Sequence, residues 1–156
     1  MARINAGRIM KEMAQLQNPD SDISSMFTVV QVEDNICHWI ATISGPADSL
    51  YDGYKFDLDI QIPSGYPFEP PGIKFITRIE HVNVNRDGDI CLDTIKVGGS
   101  WAPSQNIQNV LKTIRCLLEK PNADDPFNSD LAQVLRDDSQ AYEQRIRAAC
   151  EKYASK

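Results

Sequence analysis

The run YKFDLDIQIPSGYPFEPPGIKFI, residues 54–76, decides the fold. Its opening residues alternate. Phe56, Leu58, Ile60 and Ile62 fall on one side, and Lys55, Asp57, Asp59 and Gln61 on the other. Strict period-two alternation is the pattern of a strand with one buried and one solvated face. Residues 63–72 then hold Pro63, Pro67, Pro70 and Pro71. Proline lacks the N–H and fixes φ, so this stretch is neither a helix nor a central strand. IKFI (73–76) reads as another short strand. The unit is therefore strand, rigid loop, strand.

Working outward towards the N-terminus, FTVVQVE (27–33) and CHWIATI (37–43) are rich in β-branched and aromatic residues and read as two more strands, with Asp34-Asn35 as their hairpin turn. SGPADS (44–49) is a loop. Ile4 to Leu16 reads as an amphipathic helix, because Ile9, Met13 and Leu16 recur at spacings of four and three. The aspartates and Pro19 of QNPDSD end it.

Towards the C-terminus, Thr77 to Pro103 shows no regular element. A loop this long inside a compact domain is usually functional. Residues 104–120 form a helix with Ile107, Val110, Leu111, Ile114, Leu117 and Leu118 on one stripe, Ser104 as its N-cap and Pro121 as its stop. Further helices run over 129–136 and 139–154, the last with Tyr142, Ile146, Cys150 and Tyr153 facing inward. Strands and helices in separate blocks indicate an α+β fold, with helices packed on an antiparallel sheet. The 156 residues fit a single domain.

A net charge of −6 argues against a nucleic-acid binder, which needs a concentrated positive face, and against polybasic docking to a membrane. No run of about 20 apolar residues predicts a membrane span, and the N-terminal residues lack the apolar stretch of a signal peptide. The four cysteines and two histidines have no zinc-like spacing, so neither a metal nor a cofactor is expected. Reduced thiols fit the cytoplasm or nucleus.

Within the long loop, HVNVNRDGDICLD (81–93) sets Cys91 among Asp87, Asp89 and Asp93. Most cysteines are small buried hydrophobes, but these neighbours are polar. A cysteine hydrolase would need His81 or His38 held against the sulfur in a positive local field, and the acidic surroundings oppose that. An acyl carrier fits better. Its cysteine attacks an already activated acyl group, and the sulfur later leaves when an amine attacks. That second step needs an oxyanion donor and acidic groups to orient a lysine. Asn83 and Asp125 are candidates, and Ile90 and Leu92 anchor the cysteine on either side.

The chain resembles a ubiquitin-conjugating enzyme over nearly its full length, as one catalytic domain spanning 1–156. RIMKE (8–12) resembles the family's first helix, and YPFEPP (66–71) its proline loop. HVNVNRDGDICLD resembles its His-Pro-Asn motif with the active-site cysteine eight residues after the asparagine. WAPS (101–104) and PNADDP (121–126) complete the set. The resemblance implies that Cys91 forms the thioester. It makes Asn83 the motif asparagine, stabilising the oxyanion or bracing the loop. Asp125 would orient or deprotonate the incoming lysine, Asp93 would gate the site, and His81 would be structural. It also implies that Arg8 and Lys11 face the activating enzyme, and that Phe68, Pro103 and Ser104 grip a RING or HECT ligase. Ubiquitin and protein substrates are the other implied partners. Trp101 reads as core packing.

Three departures stand out. Val82 replaces the motif proline, and with Gly98 and Gly99 it predicts a more mobile loop. Glu69 replaces a residue that is often basic. The TIKVGGS insert (94–100) is two residues longer than in the commonest members. A similar insert occurs in the SUMO-conjugating branch, but that branch is strongly basic with serine at the position of Asp93, so ubiquitin fits better than SUMO or a Nedd-type modifier. A non-catalytic, ubiquitin-binding variant of the family would lack the cysteine that Cys91 supplies.

Overall fold

The structure is a computed structural model, and it describes residues 5–92 and 99–156. Helix α1 (Ala6–Leu16) leads into a single 3-10 turn (Asp22–Ser25) and four strands: β1 (Phe27–Val32), β2 (Asn35–Ser44), β3 (Lys55–Gln61) and β4 (Gly72–Phe75). Helices α2 (Ile107–Glu119), α3 (Ser129–Asp137) and α4 (Ser139–Tyr153) follow. The strands form an antiparallel meander in sequence order. This is the α+β architecture expected from the segregated patterns.

Register converts the alternation into a core. Ile43 lies between Phe27 and Phe56, and Leu58 between Ala41 and Phe75, so each row stacks apolar side chains on one face. Trp39, Ile43, Phe56, Leu58 and Ile60 are fully buried there, in one cluster with Ile9 and Leu16 of α1 and with Ile107, Leu111 and Ile114 of α2. Burying each such side chain contributes about 1.5–3 kcal/mol, and Leu58→Ala would cost about 2–5 kcal/mol through the cavity it leaves.

Several local expectations are corrected. The β1–β2 turn is Glu33–Asp34, with Asn35 already in β2. Glu33 takes the left-handed conformation (φ 51) and the register slips at Gln31/Val32, so one residue of strand is traded for a tighter turn. Helix α2 begins at Ile107 and its cap is Asn106, whose Oδ1 accepts from the Asn109 amide at 2.8 Å; Ser104 lies in a turn before it. Tyr153 is 41 % exposed, not inward, because α4 ends there and the ring sits beneath Arg78. Cys116 is exposed on α2. The long loop also has structure of its own. Val84 bridges Ile90, and Asp89 bridges Lys74 of β4.

Candidate active site

The loop carrying Cys91 is fastened from the inside. His81 is buried on the side of α2. Its Nε2 lies 2.6 Å from the Leu117 carbonyl, and its Nδ1 accepts the Asn83 amide at 3.0 Å. Those partners fix the neutral tautomer with the proton on Nε2. Burial pushes its pKa down to about 4, against a smaller upward pull from the Leu117 carbonyl. The imidazole is therefore a neutral tie. His38, the other histidine, lies in β2 and is paired with Asp59 of β3 at 2.5 Å. With both His81 nitrogens committed and His38 paired elsewhere, neither histidine acts as a base for Cys91, and the hydrolase arrangement fails.

Asn83 is equally committed. Its Oδ1 accepts from the Asn122 amide at 2.8 Å, and its Nδ2 donates to the carbonyls of Asn122 (2.9 Å) and Asp125 (3.3 Å). Its own carbonyl accepts the Cys91 amide at 2.7 Å. One buried asparagine thus ties the segment that carries Cys91 to the turn that carries Asp125. Val82 strengthens the same seam. Its carbonyl accepts from Phe127 and Asn128 at 2.7 and 2.8 Å, and its side chain is fully buried. The loosened loop expected from valine at this position is not what these contacts describe. Gly98 lies outside the described residues.

The acidic neighbourhood divides. Asp87 and Asp89 belong to a tight turn, in which Asn85 Oδ1 accepts both of their amides. Gly88 makes that turn possible. Its φ is +87°, and a Cβ there would meet the Phe75 carbonyl oxygen at 2.1 Å. Ile90 and Leu92 pack into or against the core on either side of the half-buried Cys91, as the sequence implied. Asp125, exposed and 34 positions along the chain, brings a carboxylate to the thiol, with Sγ to Oδ2 at 3.8 Å. Asp93 and most of the 94–100 insert lie outside the described residues. All four cysteines are thiols, none in a disulfide. Among the described residues no cluster of His, Cys, Asp and Glu could hold a metal, and no helix is long and apolar enough to cross a membrane.

A second surface is formed by two loops. Phe68 is 78 % exposed at the tip of the proline loop, where Glu69 folds back against Gly65 and the Tyr66–Pro67 peptide bond is cis. Pro103 and Ser104 are exposed on the loop before α2. Trp101 is half-buried and joins the loops, donating to the Pro67 carbonyl at 2.7 Å and packing against the Tyr66 ring. Lys11 is exposed, whereas Arg8 is turned inward onto the carbonyls of Pro103 and Gln105. Sequence reasoning missed one buried group beneath these loops, Glu12. The signal was present, since position 12 falls on the stripe of Ile9, Met13 and Leu16.

Residues 8–150 match the model of the ubiquitin-conjugating enzyme family. A "Probable ubiquitin-conjugating enzyme E2" of Acanthamoeba polyphaga mimivirus is 41% identical over 150 residues, which span 96% of this chain and 94% of that protein. The E2 domain of a Toxoplasma gondii ubiquitin conjugating enzyme superposes with a TM-score of 0.86 at 32% identity, covering 96% of this chain and 99% of the other.

Proposed function

The chain belongs to the ubiquitin-conjugating enzyme family, and from that premise we propose that Cys91 accepts ubiquitin from the activating enzyme as a thioester and passes it to a lysine of a substrate protein. In the first step the Cys91 sulfur attacks the thioester carbonyl of ubiquitin on the activating enzyme. The new C–S bond forms as the activating enzyme's thiol leaves. In the second step the lysine amine attacks the same carbonyl. The isopeptide bond forms, the Cys91 C–S bond breaks, and the amine's proton passes to solvent through Asp125.

The observation that carries this reading is Cys91 Sγ at 3.8 Å from Asp125 Oδ2, with no imidazole able to serve as a base. With neither histidine placed to activate water, the Asp125 carboxylate beside the thiol is left to orient the incoming amine and take its proton. Asn83 contributes by bracing, since its amide donors are already spent on Asn122 and Asp125. Asp93 gates the site. The activating enzyme meets α1 at the exposed Lys11, beside the turn where Arg8 is held on the Pro103 and Gln105 carbonyls, and RING or HECT ligases meet Phe68, Pro103 and Ser104. The whole chain, 1–156, works as one catalytic domain in the cytoplasm or nucleus. Ubiquitin is favoured over SUMO- or Nedd-type modifiers by the −6 net charge and by Asp93.

The test is incubation with ubiquitin or its relatives, each with its own activating enzyme and ATP. Ubiquitin gives an adduct that reductant removes, and Cys91→Ser gives one that resists reductant because an oxyester replaces the thioester. Charging by SUMO alone would overturn the choice of modifier.

A further inference from the structure

Three polar side chains are buried among the described residues: His81, Asn83 and Glu12. The first two brace Cys91. The third lies on α1 and takes no part in the proposed reaction. Its carboxylate collects three donors from three segments. Oε2 accepts from Arg8 Nε at 3.2 Å and from Tyr66 Oη at 2.6 Å, and Oε1 accepts from the backbone amide of Ile107 at 2.8 Å. Arg8, held in this way, lies over the Tyr66 ring at 5.3 Å and donates to the carbonyls of Pro103 and Gln105 at 2.8 and 2.5 Å. Burial, together with the bond to Glu12, pushes the Tyr66 hydroxyl far above its ordinary pKa, so it remains a donor.

We propose that Glu12 is a positioning residue for the ligase-facing surface. By tying α1 to Tyr66 and to Ile107 at once, it sets the spacing between Phe68 on the proline loop and Pro103–Ser104 on the loop before α2. This rests on the reading that those residues meet a ligase.

The chemistry calls for a carboxylate. All three partners are donors, and a carboxylate presents only acceptors. An amide at position 12 could keep the Ile107 amide on its oxygen, but its NH₂ would then face the N–H of Arg8. Arg8 would lose its anchor and loosen its hold on Pro103 and Gln105. Phe68 would lose its reference to Pro103, although no contact near Cys91 would change. A residue that only stabilised the fold would affect every activity together. A positioning residue affects only the step that uses the positioned surface.

The experiment compares wild type with Glu12→Gln in amide hydrogen exchange and in single-turnover lysine discharge, with and without a titrated RING ligase. Tyr66→Phe, which removes a single hydroxyl, is the milder second variant should Glu12→Gln unfold. Exchange should rise at Phe68, Glu69, Gln105 and Ile107 and stay unchanged at Val84 and Cys91. The ligase concentration for half-maximal stimulation should rise about tenfold, as expected for losing one charged hydrogen bond, while the maximal rate and ligase-free discharge hold within about twofold. On a Phe68→Ala background the Glu12→Gln effect should shrink, because the two act through one contact. Unchanged exchange in both loops, an equal fall with and without ligase, or full additivity with Phe68→Ala would each overturn the proposal. If no ligase accelerates wild type although it charges normally, the ligase reading of the surface fails instead, and the exchange data identify that case.

Discussion

The loop that carries Cys91 and the two loops that present Phe68 and Pro103 are both fastened by buried hydrogen bonds, but with different chemistry. The first is held by neutral groups, His81 and Asn83, whose side-chain polar atoms are spent on backbone partners. The second is held by an ion pair, Arg8 with Glu12, which reaches across α1, the proline loop and the start of α2. The neutral brace holds one geometry around the sulfur and sets the Asp125 carboxylate beside it. The charged brace, at the protein's margin, joins segments far apart in sequence. Burial of polar groups is affordable in both cases because nearly every donor has an acceptor.

The largest expected effect sets the neutral brace against pH. His81 has a folded pKa near 4, below its ordinary 6.5, so its contribution is fully present above pH 6.5 and is lost as pH falls towards 4. The loss is on the order of 3 kcal/mol. In urea unfolding, the stability gap between wild type and His81→Gln should close over that window. A gap that is constant with pH would show that His81 does not titrate as a buried neutral base. Next comes Asp125. It is exposed, so Asp125→Ala should leave stability within about 0.5 kcal/mol and slow discharge to lysine on the order of 10²-fold, with charging intact. Normal discharge would remove Asp125 from the reaction.

Asn83→Ala separates bracing from oxyanion stabilisation. Loss of three buried hydrogen bonds should cost about 2 kcal/mol of stability, visible as a lower denaturation midpoint. A variant that is slow yet equally stable would instead assign Asn83 to the oxyanion. Val82→Pro is the smallest change. The Val82 amide donates to no acceptor among the described residues, so the ring sacrifices no bond and should stabilise by up to about 1 kcal/mol by restricting the unfolded chain. Because the Val82 carbonyl is already held by Phe127 and Asn128, discharge should change little. A large gain in discharge would restore the mobile-loop picture.

Much of this was legible in the sequence, for physical reasons that differ from residue to residue. Phe56 to Ile62 announced its strand because burial on one face imposes a period of two, and that local rule survives any tertiary context. Cys91, Asn83 and Asp125 could be named from spacing and resemblance. The 3.8 Å meeting of the thiol with Asp125 depends on a tie across 39 residues, Asn83 to Asn122, which no local pattern encodes. Ser104 reads as the cap because serine and asparagine compete for that role, and only the path of the 101–106 loop selects Asn106. The inward hold on Arg8 is invisible locally because its partners are backbone carbonyls of Pro103 and Gln105, 95 and 97 positions along the chain. A carboxylate on an apolar stripe, Glu12, was the clue that something would come to meet it.

The central claim is that the acyl group rides on Cys91 and on no other thiol. The direct measurement is intact mass and peptide mapping after charging with ubiquitin, activating enzyme and ATP, on wild type, on Cys91→Ala and on a Cys37→Ser/Cys116→Ser double variant that retains the buried Cys150. The account predicts a single ubiquitin on the peptide containing Cys91 in wild type and in the double variant, and none in Cys91→Ala. A reductant-sensitive ubiquitin on Cys91→Ala would contradict it.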